Sequence, residues 1–417
     1  MTTVTQKADN PIAHLTEDDI AEIGRRLDAI RQSVIDTRGE QDAAYIRGMV
    51  DFQRRLELGS RAVLLFSVLP PAWLIGTAGL TVAKILENME IGHNVMHGQW
   101  DWMRDPKIHS TTWEWDNATP AEAWKHSHNQ VHHTYTNIVG KDNDLGYGIM
   151  RVDEEQRWYP LFLAQPLWNF INACFFEYGI AAYDLELGRN LALPKDKRPE
   201  SFKANVRATL KKIRKQATKD YVIHPLLSLP TGSLLPTLAA NFVANLGRNL
   251  WSHSVIMCGH FPEGVETFEK AALPEKETRG EWYVRQMLGS ANISGSKAMH
   301  VMSGNLSHQI EHHLFPDLPS NRYAEVAPQV REVFADYGLT YLARPLPQQV
   351  ASAWHKVFRL SFPNGWLETT SATNLPSQLK LLATIARADK KTRRRLLAEL
   401  EARAADTGAE AGELLPA

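Results

Sequence analysis

The stretch AVLLFSVLPPAWLIGTAGLTVA, residues 62–83, holds no Asp, Glu, Lys or Arg, and the fold turns on how it is read. A bilayer core of about 30 Å takes about 20 helical residues, so the run is long enough for one crossing. Two further uncharged runs follow, at 158–176 and 221–247. Three such runs point to an all-α integral membrane protein. Pro70-Pro71 divides the first run, and Pro230, Gly232 and Pro236 divide the third, as the tip of a helical hairpin would. Each arm then continues into more polar helix, Tyr45–Leu69 rising and Ala72–Met96 returning.

Charge selects among topologies. Residues 184–220 carry 11 Lys and Arg against 5 Asp and Glu, and short basic loops stay cytosolic. The expected architecture is four transmembrane helices as two hairpins, at about 45–96 and 220–250, under a cytosolic helical cap. Residues 158–176 would then lie along the interface. Residues 1–44 form an N-terminal cytosolic segment, 45–344 the histidine-bearing domain, and 345–417 a cytosolic tail. In that tail a basic amphipathic helix from Ser377 precedes an Ala/Glu/Gly-rich end without fixed structure. The expected location is the cytoplasmic membrane, multi-pass, with the site facing the cytosol. A net charge of −1 offers no field for nucleic acid. Only Cys174 and Cys258 occur, which excludes a disulfide scaffold and a cysteine-built metal site. The N-terminus lacks the basic-then-apolar pattern of a cleaved signal.

The histidines are concentrated, with seven of sixteen between residues 93 and 133. His93 and His97 stand four apart. So do His128 and His132, with His133 adjacent, and His308 and His312, with His313 adjacent. On an α-helix such pairs share a face and can clamp one ion, while the extra neighbour projects about 100° away toward a second. Eight imidazoles overfill a catalytic zinc site but suit two ions. Imidazole alone does not choose among Zn, Cu, Fe and Ni. No group contains the Glu of an H-E-x-x-H hydrolase. The histidines flank the apolar runs, His224 apart, instead of breaking them at mid-depth as a metal transporter's ligands would.

Either His253, in Asn249-Leu-Trp-Ser-His253, or His260 can complete the set, with Asn249 adding an amide or water ligand. Glu90, in Glu90-Ile-Gly-His93, and the run Asp142, Asn143, Asp144 are candidates to orient ligands. His14, His109, His224, His300 and His355 read as ordinary core or surface histidines.

The segments GHNVMHGQWDW (92–102), HSHNQVHHTYTN (126–137) and GNLSHQIEHHLFPDLP (304–319) resemble the three histidine boxes of the membrane fatty acid desaturases. The resemblance spans roughly Ala44 to Arg344. It implies a centre of two Fe2+ ions held by His93, His97, His128, His132, His133, His312 and His313, with no catalytic residue apart from the metal site. Gln309 stands where many members have His, and helical spacing adds His308 as a ligand. The implied reaction is O2-dependent introduction of a cis double bond into a long-chain fatty acyl group. The first two boxes favour Δ9 action on acyl-CoA, and the QIEHHLFP block leans toward front-end or acyl-lipid desaturation. A lipid or alkane hydroxylase with the same site is the alternative. Trp100, Trp102, Trp113, Trp115 and Trp124 read equally as acyl-tunnel walls and as interfacial anchors. No His-Pro-Gly-Gly element or Gly-rich dinucleotide fingerprint occurs, so a separate flavin reductase or ferredoxin-type donor is expected, with the lipid bilayer as a further partner.

Overall fold

The computed structural model describes residues 11–142, 144–269 and 276–413. The first apolar run folds as a hairpin. Helix Glu40–Leu64 ends, residues 65–69 turn, and Pro70 opens helix Pro70–Leu86, where its missing N–H would have had no partner anyway. The arms pack closely. A Cβ on Gly76 would lie 2.6 Å from Leu64, and one on Gly79 would lie 2.3 Å from Ser60. Helix Leu234–His260 packs on the returning arm, where Leu64, Leu80, Ala240 and Ala244 share a small core and the Trp73 indole donates to the Pro236 carbonyl at 3.0 Å.

Among the described residues, no helix is long and apolar enough to cross a membrane. This corrects the expectation of four transmembrane helices and, with it, that of an integral multi-pass location. The reason lies in how the uncharged runs are divided. Helix Pro70–Leu86 has 17 residues and ends in a buried lysine, Lys84. Helix Leu234–His260 has 27 residues but buries Asn241, Asn245, Arg248, Asn249, Ser252, His253 and His260. The second run breaks into a 3-10 turn, Pro160–Ala164, and a 10-residue helix, Gln165–Cys174. The mostly helical character and the hairpin shape remain.

The charged groups that break these runs, Lys84 and Arg248, are paired with carboxylates. Lys84 Nζ lies 2.8 Å from Asp220 and 3.2 Å from Asp116, and Arg61 lies 3.0 Å from Asp220. Charges leave water at tolerable cost only with such partners.

The chain forms two compact units, Met1–Gly148 with Asn172–Val350, and Ile149–Ile171 with Ala351–Ala417. In the first, helix Glu17–Thr37 starts at a capping box in which Thr16 and Asp19 satisfy each other's backbone N–H. Its Ile23, Leu27, Ile30 and Val34 join residues of helices Arg279–Leu288 and Tyr323–Asp336 in one core. A short parallel ladder pairs Asn292–Ser294 with Ala343–Pro345. The second unit has its own core of Trp158, Trp366, Leu382, Ile385 and Leu400. There the expected single basic tail helix is two, Leu375–Arg387 and Lys390–Glu413. Between them Asp389 accepts the N–H groups of Lys391 and Thr392. The Ala/Glu/Gly-rich end is helical as far as Glu413, and 414–417 lie outside the described residues.

Candidate metal centre

The histidine segments are not ordinary α-helix. His93 closes a π-helical turn, Glu87–His93, and His128 and His132 lie in another, Lys125–His132. In the second, the His133 N–H donates to the His128 carbonyl five residues back. Such widened turns recur at functional sites.

Imidazoles from distant segments converge on two places. His93, His97, His128 and His312 bring their ligand-capable atoms within 4.8 Å of one another, and so do His132, His260 and His313. His128, His132 and Asp144 form a third set that overlaps both. His133 stands between them, with ring centroids 4.7 Å from His97, 4.9 Å from His312 and 4.4 Å from His313.

Most of these rings are oriented through one nitrogen. Nδ1 of His93 donates to Asn94 at 3.1 Å, His128 to Asp144 at 3.0 Å, and His132 to Asp142 at 3.0 Å. Nδ1 of His260 donates to the Gly289 carbonyl at 3.1 Å, His312 to the Tyr323 hydroxyl at 3.2 Å, and His313 to Gln286 at 3.0 Å. That assignment leaves the lone pair on Nε2. Among the described residues, Nε2 of His97, His128, His312 and His313, and both ring nitrogens of His133, are buried without a hydrogen-bond partner. Buried polar atoms are normally satisfied. So many unpartnered imidazole nitrogens, with His128, His312 and His313 held from the other side of the ring, fit metal ions of the kind imidazole serves.

Electrostatics agree. Burial holds the His93 and His260 rings down to about 4, and burial with neighbouring imidazoles holds His97, His128, His133, His312 and His313 well below the ordinary histidine value. Metal ligation requires this neutral form. His132 differs. Burial would lower it, but Asp142 and Asp144 outweigh burial and raise it to about 9. A bound cation would take the place of that proton.

Not every predicted residue joins the groups. His253 is buried edge-on to Phe176 at 5.2 Å and lies outside them, whereas His260 is in one. His308 also lies outside. The helix Gln309–Leu314 begins only after it, its backbone is non-helical at φ −99° and ψ 56°, and its ring stacks on His300 at 4.6 Å. The four-residue spacing to His312 therefore crosses an element boundary and defines no common face. Gln309 places Nε2 3.0 Å from His260 Nε2, and its Oε1 has no partner. Asn249 bonds Arg248 and the Cys174 carbonyl instead of a ring. The Glu90 carboxylate accepts from Tyr45, Asn305 and Ser320, tying the first histidine segment to the third. Burial raises Glu90 to about 7. Asn143 falls outside the described residues.

Asn94, Gln286, Tyr323 and the Gly289 carbonyl were not singled out from sequence. Asn94 adjoins His93, but the other three reach their histidines only through the fold.

Beside the groups lies a cavity of about 780 Å³, counting the space at its mouth. His93, His128, His132 and His260 face it, as do Trp115 and Trp124 with Met89, Phe176, Ile180, Ile256 and Leu306. The chamber is mostly apolar and has imidazoles in its wall.

Residues 68–345, which carry every one of these histidines, match the family described as fatty acid desaturase. The chain belongs to the fatty acid desaturase family. It is an oxidoreductase of that enzymatic family. Over 357 residues, 85% of this chain and 83% of the relative, it is 49% identical to the NADPH-dependent stearoyl-CoA 9-desaturase of Mycobacterium tuberculosis. It is 26% identical over 293 residues, 68% of this chain and 79% of the relative, to the sn-1 linoleoyl-lipid 6-desaturase of Synechocystis. No solved structure matches this desaturase.

Proposed function

We propose that this desaturase introduces a cis double bond at Δ9 of a long-chain acyl-CoA, using O2 and electrons from a separate NADPH-fed reductase. The observation that carries the reading is the pair of imidazole groups in the wall of an apolar chamber. The substrate follows the name of the 49% identical relative, a stearoyl-CoA 9-desaturase.

In this reading His93, His97, His128 and His312 would hold one iron and His132, His260 and His313 the other, with the His133 ring packed against members of both groups. Two bound ferrous ions would supply the O2 activation that an unactivated methylene requires and that side-chain acids and bases cannot provide. The chain's own residues do the rest. Asn94, Asp144, Asp142, Tyr323 and Gln286 hold the His93, His128, His132, His312 and His313 rings through Nδ1 and leave Nε2 for the metal. Trp115, Trp124, Phe176 and Ile180 hold the acyl chain and keep water out. The balance is simple: two hydrogens leave adjacent carbons, two electrons and two protons are supplied, and O2 becomes two waters.

The test is gas chromatography–mass spectrometry of the host's fatty acids after expression, with double bonds located by derivatisation and a His132→Ala strain as control. New Δ9 monoenes absent from the control are the expected result. Hydroxylated products would overturn desaturation, and double bonds elsewhere would overturn the position.

A further inference from the structure

One end of the chamber is not apolar. Asn249, Ser252, Ile256 and His260 recur at helical spacing along one stripe of helix Leu234–His260, and all four face the cavity. From His260 to Asn249 the stripe runs about 17 Å. Along it the wall passes from imidazole through Ile256 to a cluster of buried polar groups. Arg248 pairs with Glu177, and the side chains are only 1% and 2% exposed. Arg248 also donates to the Asp116 carbonyl at 3.1 Å and to Asn249 at 3.2 Å. Asn117 donates to Asn88 at 2.8 Å, and all of these residues except Asp116 face the chamber. Arg248 Nε and Glu177 Oε2 have no hydrogen-bond partner among the described residues.

We propose that the Arg248–Glu177 pair, with Asn249, is the stop that sets how far the acyl chain extends beyond the reacting carbons. The inference rests on the acyl substrate proposed above. Arg248, Glu177 and Asn249 are all buried, so this end does not receive a large polar headgroup, and the part of the substrate that reaches it is the methyl end. An apolar floor yields by rotamer changes and accepts an extra methylene. A buried ion pair does not, because displacing either member leaves the other charge buried and alone. The floor therefore rejects longer chains sharply.

The experiment uses the iron-loaded enzyme with its reductase and a series of saturated acyl-CoAs of increasing length. The double variant Arg248→Leu/Glu177→Leu removes both charges together. It is expected to raise kcat/KM for chains longer than the wild-type optimum at least about fivefold relative to that optimum. Ser252→Leu, on the same stripe, is expected to move the preference toward shorter chains. Thermal shifts of the wild-type enzyme need no variant: stabilisation should grow with each methylene and then fall abruptly at one length. A length profile unmoved by both variants, or stabilisation that climbs without a break, would overturn the stop while leaving the substrate intact. Wild-type enzyme inactive on every acyl-CoA would overturn the substrate reading, and the stop with it.

Discussion

His133 stacks on His313 with ring centroids 4.4 Å apart, and neither nitrogen of His133 has a hydrogen-bond partner among the described residues. It is the one imidazole placed against members of both ligand groups whose two ring nitrogens are both unpartnered. His133→Ala should therefore lower iron content at both positions and cut turnover more than about 100-fold, beyond the range typical of an outer hydrogen-bond partner. Metal analysis of the purified variant beside a product assay checks this. Full iron content with ordinary turnover would remove His133 from the centre.

Tyr323 acts at one remove. Its hydroxyl accepts from His312 Nδ1 at 3.2 Å and donates to the Phe315 carbonyl at 3.1 Å, so it sets the ring's tautomer and angle. Tyr323→Phe keeps the packing and removes the hydroxyl. Metal affinity or turnover should fall roughly 10- to 100-fold, and iron titration of the apoprotein measures it. An unchanged affinity would mean that His312 is positioned by other contacts.

The buried charge network should make the fold acid-sensitive. Burial alone would raise the Asp220 carboxyl, but Lys84, Lys219 and Arg61 bring it down to about 2, below the ordinary value near 4. A carboxylate depressed on folding contributes its full stabilisation above the unfolded value and loses it as pH falls from about 4 toward 2. Lys84→Met leaves Asp220 short of a partner and should cost about 3–5 kcal/mol near neutral pH. Thermal unfolding followed against pH tests both statements. A variant as stable as the parent would show the network to be dispensable.

Gly304 has φ +72°, and a Cβ there would lie 2.5 Å from the Met89 carbonyl oxygen. Met89 belongs to the turn that carries His93, and Asn94 donates to the Gly304 carbonyl at 3.1 Å. Gly304→Ala should cost about 1–3 kcal/mol through the left-handed backbone, with the backbone clash added. Because the clash falls on the His93 turn, iron content should drop together with the unfolding temperature. A loss of stability with iron binding intact would separate the two.

Much of the centre is legible in sequence because its chemistry is dense and local. Three short segments hold most of the converging histidines, and few structural roles need so many. Spacing misleads where it assumes one regular helix, as at His308, which precedes the helix of His312 and His313. The choice between His253 and His260 depends on which face of a 27-residue helix turns inward, and both neighbourhoods read alike. Tyr323 and Gln286 act across the fold and leave no local trace. The membrane reading failed for a related reason. The hairpin turn is legible at Pro70-Pro71, but that reading accepts polar helix as the completion of each arm, and no described helix so formed is long and apolar enough to cross a membrane.

The two π-helical turns also make the chain's length unusually exacting there. Each works as one residue inserted into an otherwise α-helical path. Deleting a single residue from either would let the backbone relax into regular helix, with better hydrogen bonding than before. The flanking helix would keep its register, because the wide turn absorbs that residue, and only the rings carried by the turn would be re-aimed. Such a deletion would be benign to the scaffold while turning half of a histidine group away from its partners. Length variation in these two turns is therefore barred by geometry even where helix stability would welcome it.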